Sequence, residues 1–513
     1  MLKRKISFIS GIICGLSFSP IYFIPGIFTL SILCSQIYYS KTRAQASRLG
    51  YWYGFGFFLS SLYWISFGVM VYIDQFWWAV PFALFGLPSF LGIFIAIVAS
   101  VAWQFRSLNY YHIIFCIIWL FIEWLMSWIF TGLPWSMLGY ALTISDIMIQ
   151  SASIFGILGL SFVTLLIGTT FHKKNLLAMR VGLSLIIISI MLMYGIMRLA
   201  FNQTEYSEIK IRIVQPSIKQ LAKWNPDEFW DNFNKHISMS QRAGEPDIII
   251  WSEAALTVPF YFPDILNNLK SVFTKDNQFL LTGTINDNGL SDDKFELYSS
   301  FVALDNKGEI IFDYHKSHLV PFGEYIPFSD FIPIKKITPG IIDYASGSRK
   351  TVTLPALNLV IQPLICYESI FFAETSILNN NADAIFNITN DAWYGNSSGP
   401  YQHFQISRIR AIENALPMVR SANNGISAIV DPLGRIVAKL ELNDVDILDW
   451  YLPTKLNVPT LFSRFGILTT LLFIFIVLIL HNVGSAVTLR LSRKNFYLNN
   501  SLTDSSIRQY VRG

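Results

Sequence analysis

Glu253, Lys316 and Cys366 are the residues of this 513-residue chain whose types and placement could do covalent chemistry. They fall in three segments of one polar stretch: IIIWSEAAL at 248–256, FDYHKSHLVPFGEY at 312–325 and VIQPLICYESIF at 360–371. Each segment reads as a buried apolar strand that delivers one reactive side chain at its end. A thiol, a carboxylate and an amine are what covalent acyl transfer needs: a nucleophile, a base, and a fixed cation for an oxyanion. A cysteine thiol, with an ordinary pKa near 8.5, attacks poorly at neutral pH unless a base or a cation assists it. Glu253 is therefore the candidate base and Lys316 the candidate oxyanion stabiliser. Taken singly, each residue has a plain reading as salt-bridge partner, solvated charge or packed thiol; the pattern lies in the three together.

The elements that must position these residues are legible around them. Strand-like runs occur at 209–215, 247–252, 279–284, 298–304, 309–314, 358–366, 383–388, 418–422 and 426–431. Several are nearly continuous in Ile, Val, Leu and Phe, as strands covered on both faces must be. Helical patterns fit 226–243, 369–379 and 400–415. Alternating strands and helices predict a layered α/β domain over 205–460.

The rest of the chain is of a different kind. Composition is 53% hydrophobic and 14% charged, with mean hydropathy +0.44; soluble domains carry nearer a quarter charged residues. Apolar runs at 6–19, 21–39, 51–73, 79–104, 110–130, 150–171, 181–199 and 465–482 approach or exceed the length that crosses a bilayer. The expected organisation is a seven-helix membrane domain over 1–200, the α/β domain, a last membrane helix at 465–482 and a tail over 483–513. Lys3, Arg4, Lys5, then Lys41, Arg43, Arg48, then Arg106, then Lys173, Lys174, Arg180, and finally Arg490, Arg493, Lys494 all fall on one side of that arrangement. The opposite short connections, near Pro20, at 74–78 and at 131–149, hold no Lys or Arg. The positive-inside rule puts both termini in the cytoplasm and the α/β domain outside. Arg198 and Arg464 oppose this mildly. Intramembrane Glu123 is costly in lipid and reads either as functional or as paired within the bundle. A net charge of +4 gives no reason to expect nucleic acid as a partner.

The order Glu…Lys…Cys, its spacing and its flanking words resemble the nitrilase (carbon–nitrogen hydrolase) superfamily. So do PFGEYIP at 321–327, NITNDAWYG at 387–395 and the stretch from His403 to Gly434. With membrane helices on both sides, the likeness is to the membrane branch of that superfamily, which acylates lipoproteins. The resemblance implies an αββα sandwich, which periodicity alone does not give, and no metal or other cofactor. It implies that Glu324 helps to hold Lys316 and substrate, the alternative being a solvated residue in a Pro–Gly turn. Tyr367, Glu368 and Trp224 become supporting or substrate-contacting candidates, Trp224 being equally readable as a packed aromatic. Arg408, Arg410, Glu413, Arg420 and Asn423 read as braces of the fold.

The reaction implied is transfer of an acyl chain from a phospholipid, through a Cys366 thioester, to the free amine of a diacylated apolipoprotein's N-terminal cysteine. The enzyme is expected to be monomeric, in a bacterial inner membrane, with its catalytic domain periplasmic. A tethered thiol suits such a donor, because lifting an acyl chain into water costs about 0.8 kcal/mol per CH₂. The competing readings are a membrane-tethered amidase or nitrilase, with water as second nucleophile, and a transporter or scaffold whose α/β domain has lost its chemistry. The intact three residues argue against the last.

Overall fold

The computed structural model describes residues 1–173, 176–287, 295–329, 336–338, 342–375 and 381–485. The expected tail over 483–513 lies almost wholly outside these residues, as do Lys174, Arg490, Arg493 and Lys494.

Twelve strands build the α/β part: β1 (Tyr206–Gln215), β2 (Ile248–Ile250), β3 (Phe279–Asp287), β4 (Leu297–Asp305), β5 (Ile310–His315), β6 (Val352–Leu354), β7 (Leu359–Ile365), β8 (Ala384–Thr389), β9 (Met418–Ala422), β10 (Ser427–Val430), β11 (Ile436–Leu440) and β12 (Asp446–Pro453). They form two six-stranded sheets, ordered β12-β1-β2-β3-β4-β5 and β11-β10-β9-β8-β7-β6. In each sheet three central neighbours run parallel, β1-β2-β3 and β7-β8-β9.

Side-chain alternation explains the stacking. Ile248 and Ile250 join Ile211, Leu281, Ile361, Ile365 and Phe386 in a core between the sheets. Ile249 and Trp251, pointing the other way, pack with Phe233 and Ile237 of the Phe229–Ser240 helix and with Ile265 of the Pro263–Leu269 helix. On the second sheet Leu364 and Ile385 meet Phe404 and Ala411 of the Gly399–Asn414 helix. Helix, sheet, sheet, helix is the layer order, with buried strands apolar on both faces as required.

Among the described residues the helical part has four helices long and apolar enough to cross a membrane: Ile73–Gln104, Met148–Gly168, Leu177–Phe201 and Ile467–Ser485. Ile24–Tyr38 and Tyr111–Met126 are shorter apolar helices. The outward faces of Leu177–Phe201 and Ile467–Ser485 expose Leu185, Ile190, Met193, Leu468, Leu472 and Phe475, a surface that suits lipid rather than water. Leu2–Gly15 crosses Arg43–Leu62 closely enough that a Cβ on Gly11 would lie 2.0 Å from the Tyr53 carbonyl oxygen, a small-residue crossing typical of membrane helices. Glu123 is paired inside the bundle: Oε1 accepts from Trp119 Nε1 at 3.1 Å and from the Leu138 amide at 3.0 Å.

Several expected boundaries shift. The run at 51–73 is a helix over Arg43–Leu62, followed by Ile65–Met70. Thr42 caps its start by accepting from the Gln45 amide, so the basic residues before the apolar run are helical too. The 226–243 pattern contracts to a 3-10 turn, Pro226–Glu228, and the Phe229–Ser240 helix. The 369–379 pattern begins as a 3-10 turn at Cys366–Ile370 and a helix at Phe372–Thr375, and its remainder lies outside the described residues. Strands β6, β11 and β12 were not expected.

The two parts share one core. Ile406, Ile409 and Ile412 of the Gly399–Asn414 helix, together with Tyr367, Ile370 and Phe371, pack among residues of the apolar helices. That helix is covered by a sheet on one side and by the bundle on the other, which is why nearly all of it is buried.

Candidate active site

Three strand ends converge. After β2 the chain passes Trp251 and Ser252 to Glu253, pressed against β3, where the Gly283 amide donates to the Ser252 carbonyl at 3.3 Å. A Cβ on Gly283 would lie 2.6 Å from the Ala254 nitrogen and 2.7 Å from the Glu253 Cα, so only glycine lets the backbone bearing Glu253 sit there. Lys316 follows β5, its amide donating to the Ser299 carbonyl at 2.8 Å. Cys366 follows β7 at φ +49°, a left-handed conformation in which a non-glycine residue is strained.

Glu368 holds that turn. Its Oε2 accepts from the Ile365 amide at 2.7 Å. Its Oε1 accepts from the Ser317 amide and hydroxyl at 2.7 Å each, from the Tyr314 hydroxyl at 3.0 Å and from the His318 amide at 3.3 Å. One carboxylate thereby ties the turn bearing Cys366 to the residues just after Lys316.

Lys316 is 1% exposed and lies between two carboxylates, donating to Glu253 Oε1 at 3.0 Å and to Glu324 Oε1 at 2.8 Å. Burial alone would lower its pKa, but the two carboxylates raise it well above the ordinary lysine value, so it stays charged. Glu324 Oε2 accepts from the Val320 amide at 2.7 Å, so the Pro–Gly turn serves to aim this glutamate inward. Burial raises the Glu324 pKa, against the pull of Lys316. Glu253 Oε2 accepts from the Asn390 amide at 3.0 Å.

Cys366 is 5% exposed. Burial, then the charge of Glu253, pushes its thiol up to about 12, while Lys316 and a hydrogen bond from Thr389 pull the other way. The sulfur is thus a neutral thiol, which could act as a nucleophile only with its proton removed. Behind it lies a network of which the sequence reading named only Arg420, as a brace. His403 Nε2 is 3.2 Å from the Cys366 carbonyl oxygen, and its Nδ1 is 2.8 Å from Asp391 Oδ1. Arg420 Nη2 donates to Asp391 Oδ2 at 2.9 Å. Arg408 pairs with Asp146, Arg410 with Glu413 at 3.2 Å, and Asn423 Nδ2 donates to the Ile218 carbonyl at 2.7 Å.

The remaining candidates lie at the rim. The Tyr367 hydroxyl donates to the Gly132 carbonyl at 2.8 Å, joining the Cys366 turn to a loop of the helical part. Trp224 packs on Ala254, Ile285 and Tyr344, with its Nε1 buried and unpartnered. One further residue escaped the sequence reading. Lys223 is 6% exposed, and its Nζ donates to the Glu253 carbonyl at 2.6 Å. A lysine beside a loop tryptophan reads as a solvated charge, and only the tertiary fold buries it. Among the described residues no three His, Cys, Asp or Glu side chains gather as a metal site.

Comparison with known proteins adds to this geometry. An apolipoprotein N-acyltransferase of Rickettsia typhi is 50% identical over 495 residues, covering 95% of this chain and 99% of its own. One of Brucella melitensis is 34% identical over 482 residues, covering 87% of this chain and 89% of its own. This chain belongs to the apolipoprotein N-acyltransferase family. Residues 10–170 match the apolipoprotein N-acyltransferase N-terminal domain, and residues 210–449 match the carbon-nitrogen hydrolase family. Among solved structures, an amidase from Nesterenkonia is 15% identical and covers 48% of this family member and 92% of its own chain, with TM-score 0.35. A carbon-nitrogen hydrolase from Helicobacter pylori is 13% identical, covering 48% and 89%, with TM-score 0.36. The carbon-nitrogen hydrolase match over residues 210–449, with two six-stranded sheets stacked between helices, makes the α/β part of this acyltransferase-family chain nitrilase-like.

Proposed function

We propose that this protein N-acylates lipoproteins by a two-step exchange. Cys366 Sγ attacks an ester carbonyl of a phospholipid while Glu253 takes the thiol proton. As the C–O bond breaks, Glu253 returns the proton to the departing lysophospholipid hydroxyl, leaving an acyl thioester. The α-amine of an apolipoprotein's N-terminal diacylglyceryl-cysteine then attacks the thioester and gives a proton to Glu253. The C–S bond breaks, an amide remains, and the thiol is reprotonated. Lys316, with Glu324 on its far side, supplies the fixed positive charge for both oxyanions. Glu368 and Tyr367 act by positioning, and Trp224 walls the acyl entrance.

The observation that carries this reading is the convergence of a neutral buried thiol, a carboxylate and a permanently charged amine in a chain of this family. Membrane context supports the choice of donor, since a site fused to apolar helices lets an acyl chain stay in hydrocarbon. The eight apolar runs and their basic flanks support an arrangement with both termini cytoplasmic and residues 205–460 periplasmic. The test is direct: purified protein in micelles receives acyl-labelled phospholipid and a diacylated lipopeptide. Label should appear in amide linkage on the peptide. Release of free fatty acid with no acylated peptide would instead identify a hydrolase.

A further inference from the structure

Glu253 is gripped from both ends by one short segment. The Gln220–Lys223 helix places the Lys223 ammonium 2.6 Å from the Glu253 carbonyl oxygen. The same helix places Gln220 Oε1 2.7 Å from Asn390 Nδ2, and the Asn390 amide donates to Glu253 Oε2 at 3.0 Å. Asn423 holds Asn390 from the other side, through its Oδ1 at 3.0 Å. Nothing in the proposed chemistry requires a second buried ammonium here, and burying one is costly unless its charge is used.

Charge balance gives it a use. Lys316 bridges two carboxylates, Glu253 and Glu324. With Lys316 alone, these two would carry one uncompensated negative charge before any thiolate or oxyanion forms. Lys223 balances that charge, so the attacking sulfur meets the Glu253–Lys316–Glu324 group without its excess negative charge. We infer that Lys223 is a positioning residue of the acyl-transfer site: it fixes the Glu253 backbone and supplies the second positive charge that keeps Glu253 anionic and ready to take the Cys366 proton. This rests on the thioester reading above.

The charged and titratable groups that feel Lys223 come from three elements: Glu253 after β2, Cys366 after β7 and His236 of the Phe229–Ser240 helix. Burial lowers the Lys223 pKa to about 8, against the pull of Glu253 and Cys366. Lys316 is held far above that range and Cys366 near 12. Of these groups, Lys223 is the one whose positive charge disappears just above neutral pH.

The experiment follows thioester formation from phospholipid alone, between pH 5.5 and 9.5, in wild type and in Lys223→Gln, Lys223→Met and Lys223→Arg. In wild type the rate should fall as pH rises through about 8. Lys223→Gln retains a donor for the Glu253 carbonyl but no charge. It should be on the order of tenfold slower near neutrality, with its acidic limb moved up by about one pH unit and no decline near pH 8. Lys223→Met should lose more, and Lys223→Arg should recover part of the rate and the lower limb. A Lys223→Gln profile that superimposes on wild type would overturn the charge role. Should the uncharged variants fail to fold, the wild-type profile decides, because a plateau through pH 9 contradicts the inference. Absence of any thioester in wild type would instead sink the underlying reading.

Discussion

At the residue scale the site is a set of buried charges that need one another. Glu253→Gln keeps shape and removes the proposed base, so thioester formation and transfer to the amine should each slow by about 10² to 10⁴. Thioester formation at the wild-type rate would exclude Glu253 and leave Glu324 and Glu368 as the buried carboxylates to test. Lys316→Met should cost more than catalysis. It leaves Glu253 and Glu324 buried without their shared partner, a loss of about 3–5 kcal/mol by analogy with other broken buried pairs. In that variant Glu324, which burial already raises, loses the cation that pulls it down, so the native state is favoured at low pH and loses ground as pH rises. Its melting temperature should therefore climb as pH falls from 7 to 5, and Glu324→Gln added to it should restore part of the stability. A pH-independent loss would contradict the paired-carboxylate account. Glu253 and Cys366 were legible because each ends a strongly apolar run, and Lys316 because it closes the strand-like run IIFDYH between them. Lys223, Asp391 and His403 were not, since a single polar residue carries no sign in the sequence that tertiary packing will bury it.

At the scale of elements, catalysis depends on how strand ends are held. Gly283 is the sharpest case, because the atoms a Cβ would strike belong to the backbone of residues 252–254 and cannot swing aside. Gly283→Ala should displace Glu253 and slow thioester formation by roughly 10²-fold, the scale on which small misplacements act. The apparent affinity for phospholipid should stay near wild type, measured as KM in the same assay; a raised KM at unchanged kcat would point to a substrate-binding role instead. The apolar central strands announced themselves in the sequence. β11 and β12 did not, because polar residues interrupt them (Lys439 and Glu441 around one, Asp446 and Asp449 within the other) and they lie at sheet edges with half-exposed faces. β6 is only three residues long, too short for a period to register.

At the scale of the whole molecule, the apolar helices do more than anchor. Trp64 Nε1 and Trp135 Nε1, from two separate stretches of the helical part, donate to the Gln402 Oε1 at 3.2 and 2.9 Å. Gln402 precedes His403, whose ring packs on Trp135 at 5.3 Å and reaches the Cys366 carbonyl. The Cys366 turn is thus braced from the bundle as well as from its own sheets. Exposed positions test the orientation at this scale: Val458 follows the last strand, and Lys41 lies between the second and third apolar runs. An impermeant maleimide applied to intact spheroplasts should label Val458→Cys and spare Lys41→Cys; the native cysteines are buried. The reverse pattern would place the α/β domain in the cytoplasm, away from an exported acceptor.

The central claim is that Cys366 carries the acyl chain. Intact-mass spectrometry of the protein incubated with phospholipid and no acceptor reads this directly. An acyl-sized mass increase should appear, map to Cys366, disappear with hydroxylamine, remain when Cys14, Cys34 and Cys116 are all changed to Ala, and vanish when diacylated lipopeptide is added. An adduct that persists in Cys366→Ala, or none in a wild-type preparation that acylates lipopeptide, would contradict the account.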